Sequence, residues 1–162
     1  MDVEVAFHSL VGELDYPMFI VTACADGERS GCLIGFATQA SIDPARFLVC
    51  LSHENRTYRV ALGADLLGVH FVPEGAEELA ELFGGETGDE IDKFERTGWQ
   101  PGPGGTPLLD DCPNRFVGRV LERMGAGDHD AFLLEPVLAE RGTEADEFKF
   151  HRAKRIEAGH EA

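Results

Sequence analysis

Residues 31–57, GCLIGFATQASIDPARFLVCLSHENRT, decide how this chain folds. A run of apolar and small residues reaches Thr38, and a Ser-Ile-Asp-Pro corner follows at 41–44. A second apolar run, 47–51, then opens directly into Ser52, His53, Asn55, Arg56 and Thr57. Both runs carry the β-branched and aromatic content of strands, and Asp-Pro is corner chemistry. Asn55 is suited to cap a helix over 56–62, with Gly63 just past its end. Two strand ends with few bulky side chains thus lie beside several donors and one fixed cation. Such a place can hold a flat, anionic ligand.

Working outward, YPMFIVTAC (16–24) reads as a strand, and Ala25-Asp26-Gly27-Glu28 as the turn of a hairpin into a strand over 30–38. Upstream, Val3, Ala6, Phe7, Leu10 and Val11 recur at helical spacing, which predicts a short helix over 2–12. Downstream, LLGVHFV (66–72) is another strand, closed by Pro73, and His70 within it reads as a satisfied strand histidine. Residues 76–83 predict an amphipathic helix with Leu79, Leu82 and Phe83 on one face, stopped by Gly84-Gly85. A helical turn is expected over 89–95, with Ile91 and Phe94 inward. WQPGPGGTP (99–107) has loop composition. Residues 112–124 and 130–139 are long strands around a turn at 125–129, and 148–150 a last short strand. The expected organisation is an N-terminal helix (1–13), one domain (14–151) and a charged tail (152–162). Six or seven strands with three short helices in their connections predict a mainly β fold, an antiparallel sheet curled into a barrel. The absence of regular βαβ alternation disfavours a doubly wound fold.

The charge narrows the partners. Thirty acidic residues against fourteen basic ones give −16 over 162 residues, which argues against nucleic acid and anionic membrane. No run approaches the length of a membrane span, and the acidic start Met1-Asp2-Val3-Glu4 is unlike a targeting segment, so the cytoplasm is expected. Cys24, Cys32, Cys50 and Cys112 form no CxxC pair and read as buried thiols. An acidic protein still binds an anion locally where near donors outweigh distant, screened charge.

Four stretches, in order, resemble the flavin reductase-like family. YPMFIVTACADGERSGCLIGFATQASIDP is similar to its strand-turn-strand and S-[LI]-D-P corner. LVCLSHENRT is similar to its apolar strand and polar loop. LAELFGG followed by DKF and Trp99 is similar to its helix and the stretch beyond. Gly127-Asp128-His129 is similar to its G-D-H turn. The resemblance covers roughly residues 14–140. It implies an FMN-binding split antiparallel β-barrel that passes a hydride from NADH or NADPH to FMN, or to FAD, as a cytoplasmic homodimer that hands reduced flavin to a monooxygenase. The cofactor-binding residues it implies are Cys32, Leu33, Ile34, Gly35, Phe36, Thr38, Gln39, Ser52, His53, Asn55, Arg56, Thr57, Gly84 and Gly85. Where relatives carry hydroxyl side chains, this chain has Leu33-Ile34-Gly35-Phe36-Ala37. Main-chain groups of 32–36 would therefore do more of the holding, with Gly35 permitting close approach. Arg56 is the candidate for the flavin phosphate, with Ser52, Asn55 and Thr57 as added donors.

His129 is expected at the flavin edge, with Asp128 fixing its tautomer. Against that stands a plain hairpin turn with a solvent-facing histidine. Gly125-x-Gly127 lacks the third glycine and helix of a dinucleotide fingerprint. Asp128-His129-Asp130 is a poor metal chelate, because strand neighbours point to opposite faces. No metal is expected, and the remaining histidines, His8, His151 and His160 among them, show no ligand spacing. Trp99 reads as a core or loop-anchoring indole, and Cys32 and Cys50 as inert packing. Two rivals stay open: the same barrel with another cofactor (F420, haem, or the pyridoxamine-phosphate oxidase type), and a flavin-binding protein without turnover.

Overall fold

The computed structural model describes residues 2–85, 92–142 and 147–156. Among the described residues, nine strands and four α-helices follow one another: α1 (Val3–Val11), β1 (Phe19–Ala25), β2 (Glu28–Ile34), β3 (Ala37–Ser41), β4 (Arg46–Ser52), α2 (Arg56–Ala61), β5 (Leu66–Phe71), α3 (Glu77–Gly85), β6 (Trp99–Pro101), β7 (Pro107–Leu109), β8 (Arg115–Gly125), β9 (His129–Glu140) and α4 (Phe150–Ala153). Seven strands make one antiparallel sheet in the order β2-β1-β5-β8-β9-β4-β3.

The two edges of that sheet, β2 and β3, are consecutive in sequence and joined only by Gly35-Phe36. A two-residue link cannot span an open seven-stranded sheet, so the sheet curls until its edges meet. The Cys50 N–H donates to the Phe36 carbonyl at 2.8 Å, which fastens the link to β4. The expected single strand over 30–38 is therefore two strands, because its direction changes where the curl closes.

Apolar side chains from both sides of the central strands explain why 16–24 lacks alternation. Phe19, Val21 and Ala23 face one core with Val49, Leu51, Leu67, Val69, Phe132 and Leu134. Met18 and Ile20 face the other, with Leu79, Phe83, Phe94, Leu109 and Phe148. A strand buried on both faces reads as a continuous apolar run. The second face is roofed by α3 and by a β6–β7 hairpin where the sequence predicted only a loop. Its turn uses Gly104 and Gly105 at φ 66° and 77°, a conformation that glycine adopts freely. The Thr22 hydroxyl donates to the Pro107 carbonyl at 2.7 Å and His70 bridges the same layer, so tertiary contacts order a segment whose composition is that of a loop.

Other expectations shift by a few residues. The strand expected over 148–150 is instead a pair of isolated bridges, Pro17–Lys149 and Pro73–Glu147, leading into α4. The helical turn expected over 89–95 appears as a 3-10 turn at Lys93–Glu95, while Ile91, like His160, lies outside the described residues. The pair Gly84-Gly85 forms the last turn of α3 rather than a stop beyond it. Helix α1 forms where expected but buries none of its residues.

Candidate functional site

Strand β4 ends at Ser52, and the chain folds back on itself at once. The Ser52 carbonyl accepts from the Asn55 N–H at 3.0 Å, its Oγ accepts from the Glu54 N–H at 3.3 Å, and Asn55 Oδ1 caps α2 by accepting from the Thr57 N–H at 3.0 Å. This elbow meets the Gly-Asp-His turn directly. Ser52 is the register partner of His129, and the His53 N–H donates to the Asp128 carbonyl at 3.0 Å. His129 Nδ1 lies 2.7 Å from Asp128 Oδ1, and its ring packs 5.0 Å from that of Phe36. The histidine beside Asp128 holds that carboxyl below its ordinary range. Ser52, His53, Phe36, Asp128 and His129, which lie apart in the sequence, thus form one cluster.

Arg56 faces strand β2. Its Nη1 donates to the Arg29 carbonyl and its Nη2 to Glu28 Oε2, each at 3.2 Å. Thr57 is wholly buried and shares a 2.8 Å hydroxyl–hydroxyl bond with Ser30. Its hydroxyl is therefore a tie between α2 and β2. Two cations join Arg56 here. The Arg29 guanidinium lies 4.7 Å from the Trp99 ring centroid and 3.6 Å from Asp92. The Lys93 ammonium is buried, donating to the Gly31 and Phe83 carbonyls at 3.1 Å each. Arg29, Arg56 and Lys93 line one narrow cleft with Ser30, Gly31, Asp92 and Phe94. Its inner space is about 10 Å³ and opens to solvent, so it admits one oxygen of a larger anion and leaves the rest of that group outside. Three of the fourteen basic residues of a strongly acidic chain converge there, against Glu28 and Asp92. Burial pushes the Cys32 thiol beneath them up to about 11, against the opposing pull of Lys93, Thr57 and Asn55. That thiol stays protonated and inert.

The glycines of this region serve packing. A Cβ on Gly84 would lie 2.8 Å from Leu33 Cδ2, and one on Gly31 would lie 2.7 Å from Phe83 Cε1, so α3 sits directly on β2. The missing side chain of Gly35 makes room for the Tyr16 ring. Arg29 and Gly31 turn their carbonyls off the free edge of β2, and strand alternation directs the main-chain groups of Leu33 the same way. Thr38 and Gln39 make their side-chain hydrogen bonds to main-chain carbonyls within β3.

The sequence profile of the Flavin reductase like domain matches residues 11–157. The chain belongs to the flavin reductase like family. It is 29% identical over 125 residues to the FMN reductase (NADH) RutF of Methylorubrum extorquens, covering 77% of this chain and 60% of that relative's own length. It is also 29% identical over 142 residues to a ferric-chelate reductase (NAD(P)H) of Archaeoglobus fulgidus, covering 86% of this chain and 81% of that one. Among solved structures, the NADH:FAD oxidoreductase SgcE6 of Streptomyces globisporus superposes with a TM-score of 0.82 at 21% identity, over 91% of this chain and 88% of that one, which shows a shared fold.

Within this flavin reductase-like fold, three residues of the site carry no assignment from sequence. Arg29 has no role in the sequence reading, and Lys93 enters it only within the DKF stretch that carries the resemblance. Asp130 is the third. Its side chain is 7% exposed, yet it accepts from three donors: His53 Nε2 at 2.7 Å on Oδ1, and Tyr58 Oη at 3.0 Å and Arg123 Nη1 at 2.8 Å on Oδ2. Those bonds, the one from His53 first, hold its carboxyl below the ordinary range, and the same carboxylate raises the Tyr58 hydroxyl. An acidic residue at the start of an otherwise apolar strand was the available signal.

Proposed function

We propose that the chain is an NAD(P)H-dependent flavin reductase whose flavin phosphate is held by the cleft between β2 and α2. The chain is an oxidoreductase of the flavin reductase type, taking a flavin and a nicotinamide nucleotide. When bound, the flavin supplies the hydride acceptor and the nicotinamide the donor. The observation that carries the reading is the convergence of Arg29, Arg56 and Lys93 on one cleft in a chain of net charge −16. A dianionic phosphate end would replace Glu28 as the partner of Arg56.

The remaining groups fit a flat ring beyond the cleft. The main-chain groups of Leu33, on the same edge of β2 as the carbonyls that hold Arg56 and Lys93, suit the polar edge of an isoalloxazine. Phe36 is 55% exposed and packs against His129, so it offers an apolar wall at the far side of the elbow. His129, oriented by Asp128, is the group placed to bond the nicotinamide portion or to pass a proton. FMN is the flavin proposed, with NADH as the donor, in keeping with the names of the relatives.

A homodimer in the cytoplasm completes the reading. The distal half of β8 lies beyond the reach of β5, which pairs only as far as Arg119, and it exposes Leu121 and Met124. A second copy would cover that edge and the groove above β2. The four cysteines are free thiols, as a reducing compartment keeps them. Reduced flavin that leaves the site requires an acceptor, for which a monooxygenase is the proposed partner. Residues 14–151 form the proposed working unit. Titrating FMN into the wild type and into Arg56→Ala tests the site. The substitution should raise the dissociation constant about tenfold; equal affinities would remove the cleft from the flavin site.

A further inference from the structure

Asp130 bonds to both ends of the elbow. His53 and Tyr58 bracket Asn55, Arg56 and Thr57, and each donates to a different oxygen of the same carboxylate, at 2.7 and 3.0 Å. The rings of His53 and Tyr58 also lie 4.8 Å apart, so the two ends of the loop touch each other above the carboxylate. From the opposite side, Arg123 on β8 donates to the oxygen that Tyr58 uses, at 2.8 Å. Asp130 itself pairs with Leu51 on β4 and Gly125 on β8, one residue beyond His129. One buried carboxylate on β9 therefore joins the elbow after β4, α2 and β8.

We propose that Asp130 is the positioning residue of the flavin site: by pinning residues 53 and 58 it fixes the elbow that presents Arg56 and holds it in register with Asp128 and His129. The proposal rests on the flavin-site reading above. Its physical basis is the number of constraints. The four residues 54–57, two of them the first of α2, are held at both ends to one rigid strand and have few conformations left, so their donors are already aimed before a ligand arrives. Without the carboxylate, the elbow keeps its main-chain turn bonds, the His53 N–H bond to Asp128 and the Thr57–Ser30 tie, but loses the one group that holds the His53 and Tyr58 side chains together. Arg56 then binds at the cost of ordering the elbow. Asp130 touches no ligand in this account. Its effect passes through the elbow, and it should appear in flavin affinity rather than in turnover of the loaded enzyme.

Asp130→Asn keeps the shape but replaces one of the two acceptor oxygens with an amide that itself donates. Fluorescence titration should show FMN bound about tenfold more weakly in this variant. The maximal rate of nicotinamide oxidation at saturating FMN should stay within about threefold of wild type. Tyr58→Phe, which removes one donor and leaves the charge, should weaken FMN by about two- to threefold. A carboxylate that merely holds strands together would lower the melting temperature and leave the FMN constant alone. Affinity within about twofold of wild type in Asp130→Asn overturns the proposal, whatever the melting temperature does. If Asp130→Asn does not fold, Tyr58→Phe and His53→Gln decide, and unchanged FMN binding in both overturns it. A wild type that binds no flavin overturns the site reading and this proposal together. A wild type that binds while Asp130→Asn binds equally well overturns this proposal alone.

Discussion

Lowering the pH should loosen the layer beneath the site through one histidine. His70 is fully buried on β5, with Nδ1 donating to the Ile20 carbonyl and Nε2 accepting from the Leu109 N–H, each at 3.0 Å. This fixes the neutral Nδ1–H tautomer and ties the β6–β7 hairpin to β1. A proton on Nε2 would set two N–H groups against each other and leave a charge in the core. Burial, reinforced by nearby Arg115, lowers the pKa from 6.5 to about 4 against the pull of the Ile20 carbonyl. The unfolded chain protonates this ring as the pH falls through 6.5, whereas the folded chain resists until about 4. The stability that the neutral ring contributes is therefore complete above pH 6.5, falls between 6.5 and 4, and is gone below. The gap is worth about 3 kcal/mol in all, of which about 2 kcal/mol is lost by about pH 5. Asp128 and Asp130, held below the ordinary carboxylate range, titrate under this window. Urea unfolding of the wild type and of His70→Gln at about pH 7 and about pH 5 measures the difference. Glutamine both donates and accepts but carries no titrating proton. The wild type should lose about 2 kcal/mol more than the variant over that interval. Equal losses in the two proteins would show that His70 contributes nothing to the acid dependence and would refute the reasoning.

Three further outcomes are expected. Lys93→Met leaves the Gly31 and Phe83 carbonyls without their ammonium donor, and should lower the stability seen in urea unfolding by about 2 kcal/mol and weaken FMN binding as well. Thr57→Val breaks the buried hydroxyl pair with Ser30 and should cost about 1–2 kcal/mol by the same measurement. Gly35→Ala drives a methyl into the Tyr16 ring, which stacks on Phe150 at 4.7 Å between centroids; thermal unfolding should show a loss of about 1–3 kcal/mol.

Most of the strands were legible in the chain because each is either a run of apolar β-formers or a hairpin flanked by turn residues. The His70 reading follows from its place between Val69 and Phe71, and the structure gives that ring two partners. The break at Gly35-Phe36 was not legible, because a glycine inside an apolar run marks close approach as readily as a change of direction. It arises from closure of the sheet, which sets the Phe36 carbonyl on the Cys50 amide. The β6–β7 hairpin was hidden for the opposite reason: its Gly and Pro content matches a loop, and contacts from Thr22 and His70 order it. In the site, Arg56 and the Gly-Asp-His turn stand out by motif. Arg29 and Lys93 do not, since a lysine or arginine in a charged chain carries no local sign that folding will gather it into a cleft. Asp130 and His53 are 77 residues apart, so only the fold reveals that one carboxylate holds the elbow.

The elbow and the cationic cleft are proposed to serve a flavin that accepts electrons from a nicotinamide. Purified protein mixed in air with NADH or NADPH and an excess of FMN or FAD gives the most direct answer, with nicotinamide absorbance followed over time. Oxidation that depends on both protein and flavin, and that slows in Arg56→Ala at limiting flavin, is the predicted result. No consumption of either nicotinamide with either flavin would contradict it.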